Sequence, residues 1–319
     1  MRIDPAIAAM RREPARQRRA QAEMIAAGDA WRASPGVAGL LAELERFGAG
    51  AALGECALLE AAFDGAASPR ALADGLCRRF VAALAGEPMG QLPFRHGFNG
   101  QVSTLLLARS GRAQLILHAR EPGETAYASV GCSDAIRYEA VLAGTGAGQV
   151  VRHDPRSGRI AAQAVALRPG VRIELDLSRE ALQVRSVERR LVTVRLHRFA
   201  AEPGPSREYR LADGTVLHQS AGDIRASRHE MMLALLGRMG RGDAAPVMAE
   251  MAREPGDASL RWQALRECLA LDTAAGFRAL GEVARAAADP LAASAGALRA
   301  QLLEAHPQLL ALEDRPCRA

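Results

Sequence analysis

Between about residues 100 and 219 apolar side chains recur at every second position, and this period of two constrains the chain more than any other feature. Val171, Ile173, Leu175 and Leu177 alternate with Arg172, Glu174 and Asp176; Val192, Val194 and Leu196 alternate with Thr193, Arg195 and His197. Successive side chains of a strand point to opposite faces, so the alternation predicts strands with one apolar and one wet face. Arg172, Thr193, Arg195 and His197 are accordingly expected in solvent. Weaker runs occupy 104–108, 114–120, 126–130, 136–142, 159–167 and 209–218, the last around the Asp213-Gly214 turn. Gly144 to Gly148 sits between two such runs and reads as a hairpin or bulge, not a phosphate loop, because Val150 and Val151 continue the strand instead of opening a helix. Strands this closely spaced leave no room for the helical crossovers of a parallel sheet. The expected fold class is therefore α+β, with a central antiparallel β sandwich or barrel over 95–222.

The flanks are helical. In 1–90, Ser34-Pro35 and Ser68-Pro69 each place a capping hydroxyl before a proline that tolerates the first helical position. Leu72, Leu76, Phe80 and Leu84, with Val81 beside them, form a stripe that reads as a core face. In 226–312, Asp257, Asp272 and Asp289 stand where N-caps are wanted, and Ser227 with Glu230 reads as the capping box of a helix carrying Met231, Met232, Leu235 and Leu236. The inward faces expected after the aspartates are Leu260, Ala264, Leu265, Cys268 and Leu269; then Phe277, Leu280 and Ala284; then Leu291, Ala295, Leu298 and Leu302. Helices joined by such short loops must lie antiparallel. Residues 313–319 are left as a tail.

Composition excludes several chemistries. None of the 41 Lys and Arg residues is lysine. A Schiff-base lysine, a phosphate-loop lysine and a lysine general base are all ruled out, since a guanidinium replaces none of them. The net charge of +5 comes with 36 carboxylates scattered among the cations, so it does not by itself specify a polyanionic partner. Arg11, Arg12, Arg16, Arg18 and Arg19 follow no single helical stripe and have no interleaved aromatic, which reads as a solvated segment and not a nucleic-acid arm. The 5 cysteines have no paired short spacing and read as reduced thiols. With no apolar stretch long enough for a bilayer, a cytoplasmic location is expected.

Two resemblances rest on particular residues. Asp257, Arg261, Ala264 and Leu265, in the order D-x-x-x-R-x-x-A-L, resemble the second helix of a HEAT-type helical repeat, and Asp289 to Leu302 repeats a version without the arginine. This implies a HEAT-like helical domain over 226–312 that binds a partner and carries no catalytic residue. In the β region, His118 with Glu121 and a later histidine, His153 or His218, resembles the metal set of the cupins, although Arg120 stands where a second histidine belongs; Arg168-Pro169-Gly170 resembles the turn before a late cupin strand. That likeness implies a divalent metal held by His118, Glu121 and His218. Read from the residues alone, fewer than three ligands converge and no cofactor is expected.

No nucleophile elbow, C-x-x-C or H-E-x-x-H occurs, so no catalytic residue is assigned. The expected function is non-catalytic: binding or regulation of another protein, with a small ligand in the β domain, the alternative being a cupin-like metal enzyme. The partner expected is a protein, and neither membrane nor nucleic acid. Its interface candidates are Arg228, His229, Arg261 and Trp262, with Arg207, Glu208 and Tyr209 bracketing the same junction.

Overall fold

The computed structural model describes residues 14–64 and 69–312. Ser68, Arg11, Arg12 and the 313–319 tail lie outside them. The chain divides into two compact units, Met1–Ala201 with Arg210–Thr215, and Glu202–Tyr209 with Val216–Ala319.

The first unit opens with four helices, α1 (Pro14–Arg32), α2 (Pro35–Ala49), α3 (Ala57–Asp64) and α4 (Arg70–Gly86). The strands β1 (Arg95–Phe98), β2 (Val102–Ser110), β3 (Ala113–Arg120), β4 (Gly123–Glu124), β5 (Ser129–Cys132), β6 (Ala135–His153), β7 (Ile160–Leu167), β8 (Arg172–Asp176) and β9 (Glu180–Phe199) follow. An 8-stranded sheet runs β1-β2-β3-β9-β6-β7, with β4 on β9 and β8 on β6, and every pairing in it is antiparallel. The molecule is thus α+β with antiparallel sheet.

One face of this sheet carries the helices. Leu115, Leu196 and Tyr138 lie directly opposite one another across β3, β9 and β6, and Leu117 faces Val194 in the same way. These side chains join Trp31, Leu44, Phe47, Leu59, Leu76 and Phe80 in one core. The helices of the 1–90 region and the 8-stranded sheet therefore share one core. Each fully buried leucine or phenylalanine in it adds on the order of 1.5–3 kcal/mol. The α4 stripe is inward at Leu76 and Phe80, with Leu72 and Leu84 against the same core, whereas Val81 points to solvent. Gly48 allows α2 to press on the β2–β3 turn: a Cβ there would lie 2.1 Å from Ser110 O.

β6 and β9 span 19 and 20 residues and pair along nearly their whole length, with register shifts between Val141 and Gly148. At the break Gly144 has φ 86°, and a Cβ would stand 2.1 Å from Arg190 O, so only glycine fits. Beyond it the strands contribute Val184, Val187 and Leu182, which pack with Val141, Leu191, Ile173 and Leu167. Val141, on the face away from the helices, belongs to this second cluster.

The second unit holds a hairpin of β10 (Ser206–Arg210) and β11 (Val216–Ser220), then α5 (Ile224–Arg238), α6 (Ala245–Arg253), α7 (Ala258–Leu271), α8 (Thr273–Arg285) and α9 (Ala292–Ala305). Asp257 and Asp272 are N-caps as expected, accepting from the Leu260 and Ala275 amides. Asp289 instead accepts from Leu291 N, and α9 begins at Ala292. Ser227 is not a cap: Asp223 is, so α5 starts earlier and Glu230 accepts from Ala221 N. The core is Leu265, Cys268, Phe277, Leu280, Met248 and Ala295 with their neighbours. Among the described residues no helix is long and apolar enough to cross a membrane.

Candidate functional site

The sheet face opposite the N-terminal helices should by alternation be wet, but it is where the chain buries charge. Pairing sets His118 against Thr193, Arg195 against both Ile116 and Glu139, and His197 against Arg137, so these groups share one face of β3, β9 and β6. His118, Glu139 and Thr193 are buried there, while the side chains of Arg137 and Arg195 keep 18% and 15% of their surface exposed. His197 is half-buried as well, while Arg195 Nε is fully buried.

Glu139 is the centre. Thr193 Oγ1 donates to its Oε1 at 2.8 Å, and Arg195 Nε lies 2.9 Å from the same oxygen. The second contact has ion-pair distance without hydrogen-bond alignment, since Arg195 Nε remains unsatisfied. Arg137 Nη1 stands 3.9 Å from Oε2, and among the described residues no donor satisfies Oε2. Burial pushes the Glu139 carboxyl up, but Arg195, Arg137 and the Thr193 bond more than offset it and hold the group below the usual carboxylate range. Arg137 Nε donates to His197 Nε2 at 2.9 Å, which requires a neutral ring with that nitrogen as acceptor. Burial, then Arg137 and Arg195, lower the His197 pKa to about 3; burial, then Arg195, do the same for His118. One carboxylate thus faces two guanidiniums beside two uncharged imidazoles, leaving excess positive charge and both an unmet donor and an unmet acceptor.

Of the metal set, His118 joins this cluster. Glu121 pairs with Arg190 at 3.0 Å, and His218 is exposed on β11. Among the described residues no group of three or more His, Cys, Asp or Glu could hold a metal ion. The charged groups around His118 also fit poorly: Arg195, Arg120 and Arg137 all depress its pKa, and they would repel a divalent cation in the same way. Arg172 is not free in solvent either, donating to Ala62 O at 3.3 Å and Gly170 O at 3.1 Å.

Of the interface candidates, Arg228 and His229 are exposed on α5. Trp262 lines a cavity of about 620 Å³ with Leu269, Leu298, Leu302 and Leu309. Arg261 faces inward: it is buried, pairs with Asp289, and donates from Nε and Nη2 to Ala252 O at 3.1 and 3.0 Å. Its guanidinium ties three segments of the helical unit together and serves no outer surface. Asp289→Ala is expected to lower the stability of this unit by about 2–4 kcal/mol by leaving the guanidinium without its carboxylate. Urea unfolding followed by Trp262 fluorescence measures it.

Sequence reasoning missed Arg137, Glu139 and Thr193. The available signal was parity: Arg137 and Glu139 fall two apart within the 136–142 run, as Thr193, Arg195 and His197 do in theirs.

No family model matches the chain, and no curated protein matches it. The solved structures similar to it include a 7S globulin of Momordica charantia, at 13% identity and TM-score 0.28, covering 37% of this chain and 35% of that one. A cupin superfamily protein of Desulfitobacterium hafniense is similar at 18% identity and TM-score 0.24, over 33% of this chain and 83% of the other. The capsular polysaccharide assembling protein CapF of Staphylococcus aureus is similar at 14% identity and TM-score 0.28, over 40% and 34%. The chain spans about a third of the length of the globulin.

Proposed function

We propose that this is a non-catalytic binding protein in two parts. The β body of 95–222, read as a sandwich whose two layers enclose the cluster, holds a small anion bearing a hydroxyl group. The helical segment of 226–312, read as HEAT-like, presents a surface to another protein. The observation that carries the first part is the unmet pair at Glu139 Oε2 and Arg195 Nε, inside a cluster with excess positive charge. Leaving such atoms unpaired costs about 1–3 kcal/mol each. A carboxylate accepts from Arg137 and Arg195, and an adjacent hydroxyl donates to Oε2, which removes both deficits at once. Catalysis is not part of the reading: both imidazoles have pKa values held far below neutral pH, and the Thr193 hydroxyl beside His118 donates to Glu139.

Calorimetric titration with small hydroxy acids such as glycolate, lactate and malate tests this. Glycolate is expected to bind roughly tenfold more tightly than acetate, one hydrogen bond being worth about that factor. Arg137→Met is expected to abolish the heat of binding. Equal affinities for glycolate and acetate, or binding that survives both Arg137→Met and Arg195→Met, would remove the reading.

A further inference from the structure

Helix α5 exposes an apolar stripe that no described residue of the unit covers. Ile224, Met231, Met232, Leu235 and Met239 are between 43% and 64% exposed, although five such side chains on so short a stretch are what a soluble helix normally buries. Ile224, Met231, Leu235 and Met239 fall at helical spacing on one side, opposite the buried Ala226 and Leu233. Methionine is well suited to such a face, because its flexible thioether adapts to a partner's side chains.

The charges on this side are all of one sign. Arg228 lies within the stripe, and Arg225 and Arg238 border it near either end. The acids of the helix and its cap are engaged elsewhere: Asp223 accepts from the Arg225 and Ala226 amides, and Glu230 from Ala221 N. A second copy of the chain is a poor occupant. In a two-fold antiparallel pairing centred between Met231 and Met232, Arg225 would meet Arg238 of the other copy, and in a parallel pairing Arg228 would meet Arg228. A lipid surface is also disfavoured, since Arg228 stands within the face that would enter the acyl region and no aromatic anchor accompanies it.

We infer that α5 docks an amphipathic helix of another protein, whose apolar stripe packs on Met231, Leu235 and Met239 and whose flanks carry carboxylates that meet Arg225, Arg228 and Arg238. The inference rests on the protein-binding half of the proposed function and is independent of the anion site. It assigns Arg228 a role in selecting that partner's charge.

The test uses the full chain and a fluorescent synthetic helix with leucines along one face and glutamates on both flanks, beside a twin with lysines in place of the glutamates. The acidic peptide is expected to bind with an affinity that falls as salt rises, and the lysine twin at least ~10-fold more weakly. Leu235→Gln and Arg228→Glu, both at exposed positions, are each expected to weaken the acidic peptide by ~10-fold or more without altering thermal unfolding, and Arg228→Glu to shift preference toward the lysine twin. Indifference to peptide charge, or binding unchanged in Leu235→Gln, overturns the inference. So does sedimentation with phosphatidylglycerol vesicles in the absence of peptide binding, or self-association that Leu235→Gln abolishes. None of these outcomes bears on hydroxy-acid binding at Arg137, so the two readings fail separately.

Discussion

Glu139→Gln is expected to destabilise the β-containing unit by about 3–5 kcal/mol, among the larger effects of any single substitution, because it leaves two partly buried guanidiniums without their shared counter-charge. The glutamine still fills the space and still accepts from Thr193, so the loss is one of charge and not of packing. The two tryptophans separate the units: Trp31 is buried in the core beneath the sheet, and Trp262 lines the cavity of the helical unit. In urea unfolding the variant should shift the Trp31 transition and leave that of Trp262 in place. Adding Arg195→Met to Glu139→Gln should recover part of the loss, since an apolar pair of similar volume avoids the uncompensated cation. A loss below about 1 kcal/mol would mean that the cluster is solvated like a surface ion pair.

The second large effect is acid lability. His118 and His197 titrate at about 3 in the folded chain, against about 6.5 when unfolded, so below neutral pH the unfolded chain binds more protons than the folded one. Their lowered folded pKa values penalise folding progressively as pH falls from about 6.5 toward 3. At pH 4 each ring withholds a proton it would otherwise take up by roughly 2.5 pH units, about 3 kcal/mol per histidine. Glu139 acts in the same direction. Its folded pKa is also depressed, so the stability it lends is present above the unfolded carboxylate pKa and is lost as pH falls through the folded value. The Trp31 transition should therefore weaken steeply between pH 6.5 and 4, and His118→Leu together with His197→Gln should flatten that slope while leaving Glu139's contribution. A midpoint constant from pH 7 to 4 in the unsubstituted chain would show that both rings reach water.

Much of the fold was legible because periodicity reports which residues share a face. The alternation through Val171 to Leu177 is real, with Leu175 and Leu177 buried, and Asp257 and Asp272 cap the helices they announce. Periodicity does not report what lies over a face. The set Thr193, Arg195 and His197 reads as polar and therefore wet, yet Thr193 is buried and the Arg195 side chain is largely covered. The glycines from 144 to 148 read as a hairpin or a bulge, and that reading does not say that the strands continue through them. The run at 136–142 lies in the first half of β6 and that at 192–196 in the second half of β9, both much longer strands than the runs themselves. The surroundings of His118 were hidden for a related reason: in sequence it stands near Glu121, whereas Thr193, Arg195 and Glu139 around it come from two other strands. The direction of Arg261 was illegible, because Asp289, which fixes it, lies beyond the next helix.

The proposal that the buried charge around Glu139 is a built anion site is tested most directly by arginine side-chain NMR. With arginines labelled at nitrogen, glycolate is expected to shift two Nε signals that disappear in Arg137→Met and Arg195→Met, and to leave other arginines, including the inward Arg261, unmoved. Saturating glycolate that shifts neither signal, or shifts exposed arginines alone, would contradict the account.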